Sequence, residues 1–194
     1  MMRVPPRFRL RTTLLLGWAL VPAWAMALPV HVPRPRGEYE VKAAFLCNFA
    51  HFVTWPGVAA AGDTLVIGIV GRDPFGRVMD DLFVGKAGAG RPVAIRRFPS
   101  LDDLSSCHIL FIGATSESAL PGALRRLRSM PVLTVGEQEG FLAAGGMIRL
   151  KTVGDRVRFD VNLPAANSAH LRLSANLLRV ADTVLGQAPT GGGQ

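Results

Sequence analysis

The sequence predicts an α/β fold: a three-layer α/β/α sandwich around a largely parallel sheet, extended by an antiparallel C-terminal hairpin. Three observations carry this. Continuous apolar runs at 65–70, 107–112 and 131–135 have strand length and no polar face, as in strands covered on both sides. The segments between them carry apolar residues at helical spacing. Near the end the pattern changes to two alternating runs, 147–153 and 156–162, joined by Gly154-Asp155, the composition of a tight hairpin turn.

Ahead of this pattern, Arg3, Arg7, Arg9 and Arg11 precede an apolar run from Thr12 to Ala23. Ala23-Trp24-Ala25-Met26-Ala27 then offers small residues at A-x-A spacing. A basic start, a short apolar stretch and such a site make residues 1–27 a secretory signal peptide, with cleavage expected after Ala27. The run is short of the roughly 20 apolar residues that a membrane-crossing helix needs. Residues 28–37 are a Pro-rich lead-in, expected to be flexible.

The first helix is expected over 38–54, where Val41, Phe45, Phe49, Phe52 and Val53 recur every three or four residues. Trp55-Pro56-Gly57 stops it, because proline cannot continue the hydrogen-bond ladder. A buried strand at 65–70 leads through the loop 71–76 into a short helix at 77–83. Residues 91–98 form a strand with Val93, Ile95 and Phe98 on its apolar side. After the strand at 107–112, a helix over 116–129 buries Leu120, Leu124 and Leu127 and exposes Arg125, Arg126 and Arg128. A last helix is expected over 165–185, its stripe formed by Leu171, Ser174, Leu178, Ala181 and Leu185. It is long enough to lie beside the first. The tail 186–194 is expected to be disordered, leaving one domain over 38–185.

Charge and motifs narrow the function. Of the formal charge of +8 in 194 residues, the signal segment carries four arginines and no acid, so the secreted chain keeps +4. From Glu38 onward it is +2, and nucleic acid is not an expected partner. The glycines at 68, 71 and 76 do not match G-x-G-x-x-G, and no Lys-Ser/Thr follows as a phosphate-cradling loop requires. Ser116, Ser118 and Ser174 lie in no G-x-S-x-G elbow. His31, His51, His108 and His170 form no metal-ligand pair, and the adjacent carboxylates Asp80-Asp81 and Asp102-Asp103 cannot share a helix face. No catalytic residue, metal or cofactor is expected, and the chain does not read as an enzyme.

What remains is contact chemistry. The loop 71–76 follows a buried strand, where open α/β sheets place ligand sites. Arg72 and Phe75 in it are more than a turn needs. A crevice near Gly71, Gly113 and Gly136 is a candidate site for a small molecule. Cys47 and Cys107 would meet an oxidising compartment, and spacing leaves open whether they are bridged or two buried thiols. Lys42, a charge inside an apolar motif, either snorkels to solvent or pairs with a carboxylate.

Residues 40–56, read EVKAAFLCNFAHFVTWP, resemble the opening motif of the YfiR family of exported bacterial proteins. The resemblance continues through 67–76, 107–112, 140–141, 145–148, 157–162, 165–166 and 171–178. It implies an α/β sandwich that works in the periplasm as a homodimeric regulator. Such proteins bind the periplasmic sensory domain of a membrane-anchored diguanylate cyclase and hold it inactive, lowering cyclic di-GMP and biofilm output. Two departures stand out. The founding kind of member has two cysteine pairs where this chain has two cysteines, and Cys47 stands where an aromatic or aliphatic residue is more usual. Trp55, Pro56, Arg72, Asp73 and Phe75 have the composition of a partner- or ligand-binding surface. Lys42, Phe45, Asn48, Gly71, Gly146, Phe159, Asn162, Ser174 and Leu177 read as structural members of the motif.

Overall fold

The computed structural model describes residues 36–56, 64–83, 87–88, 90–102, 104, 107–114 and 119–186. The expected signal segment, the lead-in as far as residue 35 and residues 187–194 of the tail lie outside them. Helix α1 (Arg36–Phe49) comes first, followed by a short strand β1 (Val53–Thr54). Strand β2 (Leu65–Val70) is buried along its whole length. Helix α2 (Arg77–Phe83), strand β3 (Ala87–Gly88) and strand β4 (Arg91–Phe98) follow. Strand β5 (Ile109–Ile112), helix α3 (Leu120–Leu127) and strand β6 (Leu133–Gly136) complete the parallel part. Strands β7 (Ile148–Val153) and β8 (Arg156–Asn162) form the hairpin. Helix α4 (Leu163–Ser168), strand β9 (Arg172–Leu173), helix α5 (Ala175–Val180) and strand β10 (Thr183–Leu185) close the chain.

The main sheet runs β10-β8-β7-β6-β5-β2-β4-β3. Pairing is parallel from β4 through β7 and again between β10 and β8, and antiparallel in β7–β8 and β3–β4. Strand alternation sends Ile67, Ile69, Phe111, Leu133 and Ile148 into one core with residues of α1, α2, α4 and α5. It sends Val70, Leu110 and Ile112 to the other face, where Leu120, Leu124 and Leu127 of α3 cover them. This is the expected three-layer arrangement. In β4, however, Phe98 turns to the α3 side while Val93 and Ile95 face α1, because residues 95 and 98 have opposite parity along a strand.

Both terminal helices are shorter than expected. The helix expected over 38–54 ends at Phe49, where the amides of Ala50, His51 and Phe52 each bond three residues back. Of the residues expected to extend its stripe, Phe52 lies in the turn and Val53 opens β1, which pairs antiparallel with β9. The helix expected over 165–185 is two short helices with a strand on either side of α5. Asn162 caps α4 by accepting the Ala165 amide at 3.0 Å, and Ser174 caps α5 by accepting the Leu177 amide at 3.3 Å. Between them His170 adopts φ 58°, a left-handed conformation that ends a helical turn. Leu185 is on the edge strand rather than on a helix stripe.

Phe141 accounts for two glycines. A Cβ at Gly136 would lie 2.4 Å from its ring, and one at Gly146 would lie 2.1 Å away. The ring thus packs directly on backbone beside α3. We expect Gly146→Ala to cost about 1–3 kcal/mol through overpacking, read as a lower urea midpoint with an unchanged slope.

Candidate functional site

The carboxyl ends of β2, β5 and β6, the expected crevice, are filled by the protein itself. The backbone of Arg72 lies against Gly113, where a Cβ would meet its carbonyl oxygen at 1.9 Å, and Phe141 covers Gly136. Phe75 is buried, its ring edge-on to Phe111 at 4.8 Å and to Tyr39 of α1 at 5.6 Å. Tyr39 in turn donates to Glu137, the residue after β6, at 3.4 Å.

The charge in this region belongs to Lys42, which is 3% exposed. Its Nζ pairs with Glu38 one helical turn earlier and with Glu137 at 2.8 Å, and stands 4.9 Å from the centre of the Tyr39 ring. Thr152 of β7 donates to the same Glu38 carboxylate at 2.8 Å. Burial by itself lowers the affinity of the amine for its proton, but hydrogen bonds to Glu137 and Glu38 outweigh it and raise the pKa above the ordinary lysine value. Lys42 therefore pairs with carboxylates rather than snorkelling, and locks α1 to the ends of β6 and β7.

The loop 71–76 is organised by Asp73. Its Oδ1 accepts the amides of Phe75 and Gly76 at 2.8 and 3.1 Å, and its Oδ2 pairs with Arg97 of β4 at 2.8 Å. Arg97 also makes a bidentate contact with Asp80 and donates to the Gly76 carbonyl at 2.7 Å. Hydrogen bonding from Arg97 holds the Asp80 carboxyl below its ordinary range. Gly71 enters the loop with φ 79°, which only glycine adopts freely.

Of the five expected contact residues, the surface keeps two. Pro56 and Arg72 are exposed. Trp55 and Phe75 are core residues, and Asp73 is half-buried with its carboxylate taken up by the loop amides and Arg97. Trp55 donates from Nε1 to the His108 carbonyl at 3.1 Å and sets its ring edge-on to the His108 imidazole. His108 Nδ1 accepts the Val66 amide at 3.2 Å, so this histidine stitches strands together. The aromatic and arginine composition suggested an interface; the same residue types also suit a core lid and a loop clamp, and only their packing separates the two.

Most of the other motif residues pack or bond within the fold. Phe159 stacks edge-on with Phe45 and Phe49 at 5.6 and 5.3 Å, and Leu177 is buried beneath α5. Asn162 donates to the Leu142 carbonyl at 3.0 Å as well as capping α4. Asn48 is exposed on the last turn of α1.

Cys47 and Cys107 are free and buried. They are not bridged, because Cys47 belongs to the core under α1 and Cys107 to the core under α3, on opposite faces of the sheet. Burial raises both thiols, Cys107 to about 12. Among the described residues, no group of three or more His, Cys, Asp or Glu could hold a metal ion, and no helix is long and apolar enough to cross a membrane.

Two outcomes are expected. Lys42→Met should lose about 2 kcal/mol, less than the roughly 3–5 kcal/mol of a fully buried pair, because 18% and 24% of the Glu38 and Glu137 side chains stay in water. The raised folded pKa means that the pair's contribution is complete below the unfolded lysine value of about 10.4. It is lost as pH climbs through the higher folded value, so wild type and variant converge in strongly alkaline urea titrations. Separately, neither thiol should react with iodoacetamide in the native protein at mildly alkaline pH, and both should react after denaturation. Native-state labelling of either would contradict the burial described.

Comparison with known proteins places these features. The chain is similar to a conserved domain protein of known structure from Vibrio cholerae O1 biovar El Tor str. N16961, with a TM-score of 0.46 and 13% identity. The likeness covers 75% of this chain and 60% of that one, so the chain spans about three-fifths of that protein's length. A family model described as YfiR/HmsC-like matches residues 39–182, from Tyr39 beside the Lys42 lock to Asp182 ahead of β10. The chain belongs to the YfiR/HmsC-like family.

Proposed function

We propose that this protein binds the periplasmic sensory domain of a membrane-anchored diguanylate cyclase and holds that enzyme inactive, lowering cyclic di-GMP and biofilm output. The observation that carries the reading is the family match over residues 39–182. Membership supports a periplasmic regulator of diguanylate cyclase signalling, and members are regulators rather than enzymes. Export by a cleaved signal peptide and assembly as a homodimer belong to the same proposal.

The architecture suits such a role. A regulator acts only through different affinities for two states of its target, which requires a surface that keeps one shape. The strand ends, where an α/β protein most often binds solutes, are occupied by Tyr39, Phe75 and Phe141. Strand ends filled in this way support contact through an outer surface.

The test is recovery of the protein's partner from detergent-solubilised membranes of its own host, using the secreted protein as bait, with cyclic di-GMP measured in a deletion strain. Enrichment of a membrane protein carrying a cytoplasmic cyclase domain, and a rise in cyclic di-GMP on deletion, are expected. Absence of any cyclase with and without reductant, together with unchanged cyclic di-GMP, would overturn the proposal.

A further inference from the structure

An open groove of about 270 Å³ lies between α3, the turn at 140–146 and the start of α4. Its apolar lining comes from Ala143, Ala144 and Ala165 over Leu124, Leu127 and Met147, the last three belonging to the core at 3%, 1% and 2% exposed. Its neutral polar side chains are bonded within the fold: Thr134 Oγ1 accepts the Met147 amide at 3.1 Å, the Asn162 side chain is shared between the Leu142 carbonyl and the Ala165 amide, and Ser168 Oγ donates to the Pro164 carbonyl at 2.9 Å. Among the described residues, the charged ones of the lining are Arg125 and Arg128, with no Asp or Glu. Both arginines are exposed, and a spacing of three puts them on one side of α3. Arg126, between them, is paired with Asp102.

Cations near a helix C-terminus are ordinary. Two of them framing an apolar hollow that holds no carboxylate make a surface with a defined complement. The hollow is smaller than the roughly 300–1,000 Å³ of typical small-molecule pockets, and its polar atoms are spent on the fold, so a polar solute would find little to orient it. One or two apolar side chains would fit. Gly186 lies close by, since a Cβ there would touch Pro164 on the groove wall. Residues 187–194, however, read QAPTGGGQ, with neither an acid nor an apolar residue larger than proline.

We propose that this groove docks a segment of a partner protein that presents an apolar side chain flanked by carboxylates, the side chain against Ala143, Ala144 and Ala165 and the carboxylates on Arg125 and Arg128. The proposal rests on the regulator reading and assigns its contact surface. Anchor and rim follow the division seen in protein interfaces, where a desolvated apolar centre supplies affinity and charged groups at the edge supply register and encounter rate.

The experiment titrates the isotope-labelled protein, purified from the periplasm, with the synthetic peptide acetyl-Glu-Asp-Leu-Phe-Asp-Glu-amide and follows amide chemical shifts. Shifts are expected at residues 124–128 and 143–147. They should weaken roughly tenfold or more in apparent affinity for Arg125→Glu/Arg128→Glu and for the peptide with lysine at each acidic position. Ala143→Glu, exposed at the mouth of the groove, should block binding without disturbing the core, as an unchanged circular dichroism melt would verify. Shifts elsewhere, equal shifts with the lysine peptide, or undiminished binding by both variants would overturn the proposal. The same variants used as bait keep the two readings apart. If wild type and the double variant recover a cyclase equally, the groove assignment fails and the regulator stands. If wild type recovers none, the regulator reading fails and the peptide titration alone decides the groove.

Discussion

The charge of a lysine that is 3% exposed must be neutralised where it stands, and for Lys42 that requirement positions much of the molecule. Its two carboxylates come from different places: Glu38 from the same helix and Glu137 from the end of β6. Satisfying both fixes the rotation of α1 about its axis and the height at which it crosses the sheet. With α1 so placed, Tyr39 faces Phe75 and Glu137, and Phe45 and Phe49 meet Phe159. The apolar contacts would tolerate small shifts of the helix; a charge between two acceptors does not. The pair is better understood as setting register than as adding net stability, since desolvation offsets much of the Coulomb gain.

The far end of α1 is held in a different way. Where the helix stops, β1 pairs with β9, and the Ser174 amide bonds the Phe52 carbonyl at 2.8 Å. The first and last parts of the domain are therefore tied by backbone, while its middle is tied by the sheet. Ser174 serves both structures, donating its amide across to Phe52 and accepting the Leu177 amide through its hydroxyl. Asn162 does the same between β8, α4 and the turn at 140–146. Single polar residues at such junctions explain why the helices at this end can be only six residues long, below the length at which an isolated helix holds itself together.

Much of the sheet was legible because its strands are buried on both faces, and a continuous apolar run such as Leu65–Val70 has few places in a fold except a central strand. The bounds of α2, β2, β4 and β8 follow from the pattern alone. The last thirty residues were not legible for a reason equally physical. Helical spacing survives when a chain makes two short helices separated by one strand residue pair, since Leu171, Leu178 and Ala181 of the expected stripe all still meet the core. The decisive signals, a cap at Ser174 and a left-handed His170, are single residues that periodicity averages away. At the candidate site the difficulty was chemical ambiguity. Trp55, Phe75 and Asp73 have the side chains of an interface and spend them internally. Arg125 and Arg128 looked like the solvated side of an amphipathic helix, which they are; the groove beside them is made by the turn at 140–146 and by α4, far away in sequence.

That division bears on how such a protein could act. The face under α1 is braced by charge, aromatic packing and a backbone clasp, and offers an incoming partner little that can yield. The other face is covered at the strand middles by α3 and the Phe141 turn, and toward β7 and β8 it carries paired charges, with half-buried Arg149 and Lys151 both meeting the buried Asp160. The groove opens at the boundary between these two zones, where helix cover ends. A partner that enters there gains apolar contact without displacing any core residue, and loses it completely when its own conformation withdraws the anchoring side chain. Recognition of one state of a target over another requires a contact of that kind, made or broken as a unit.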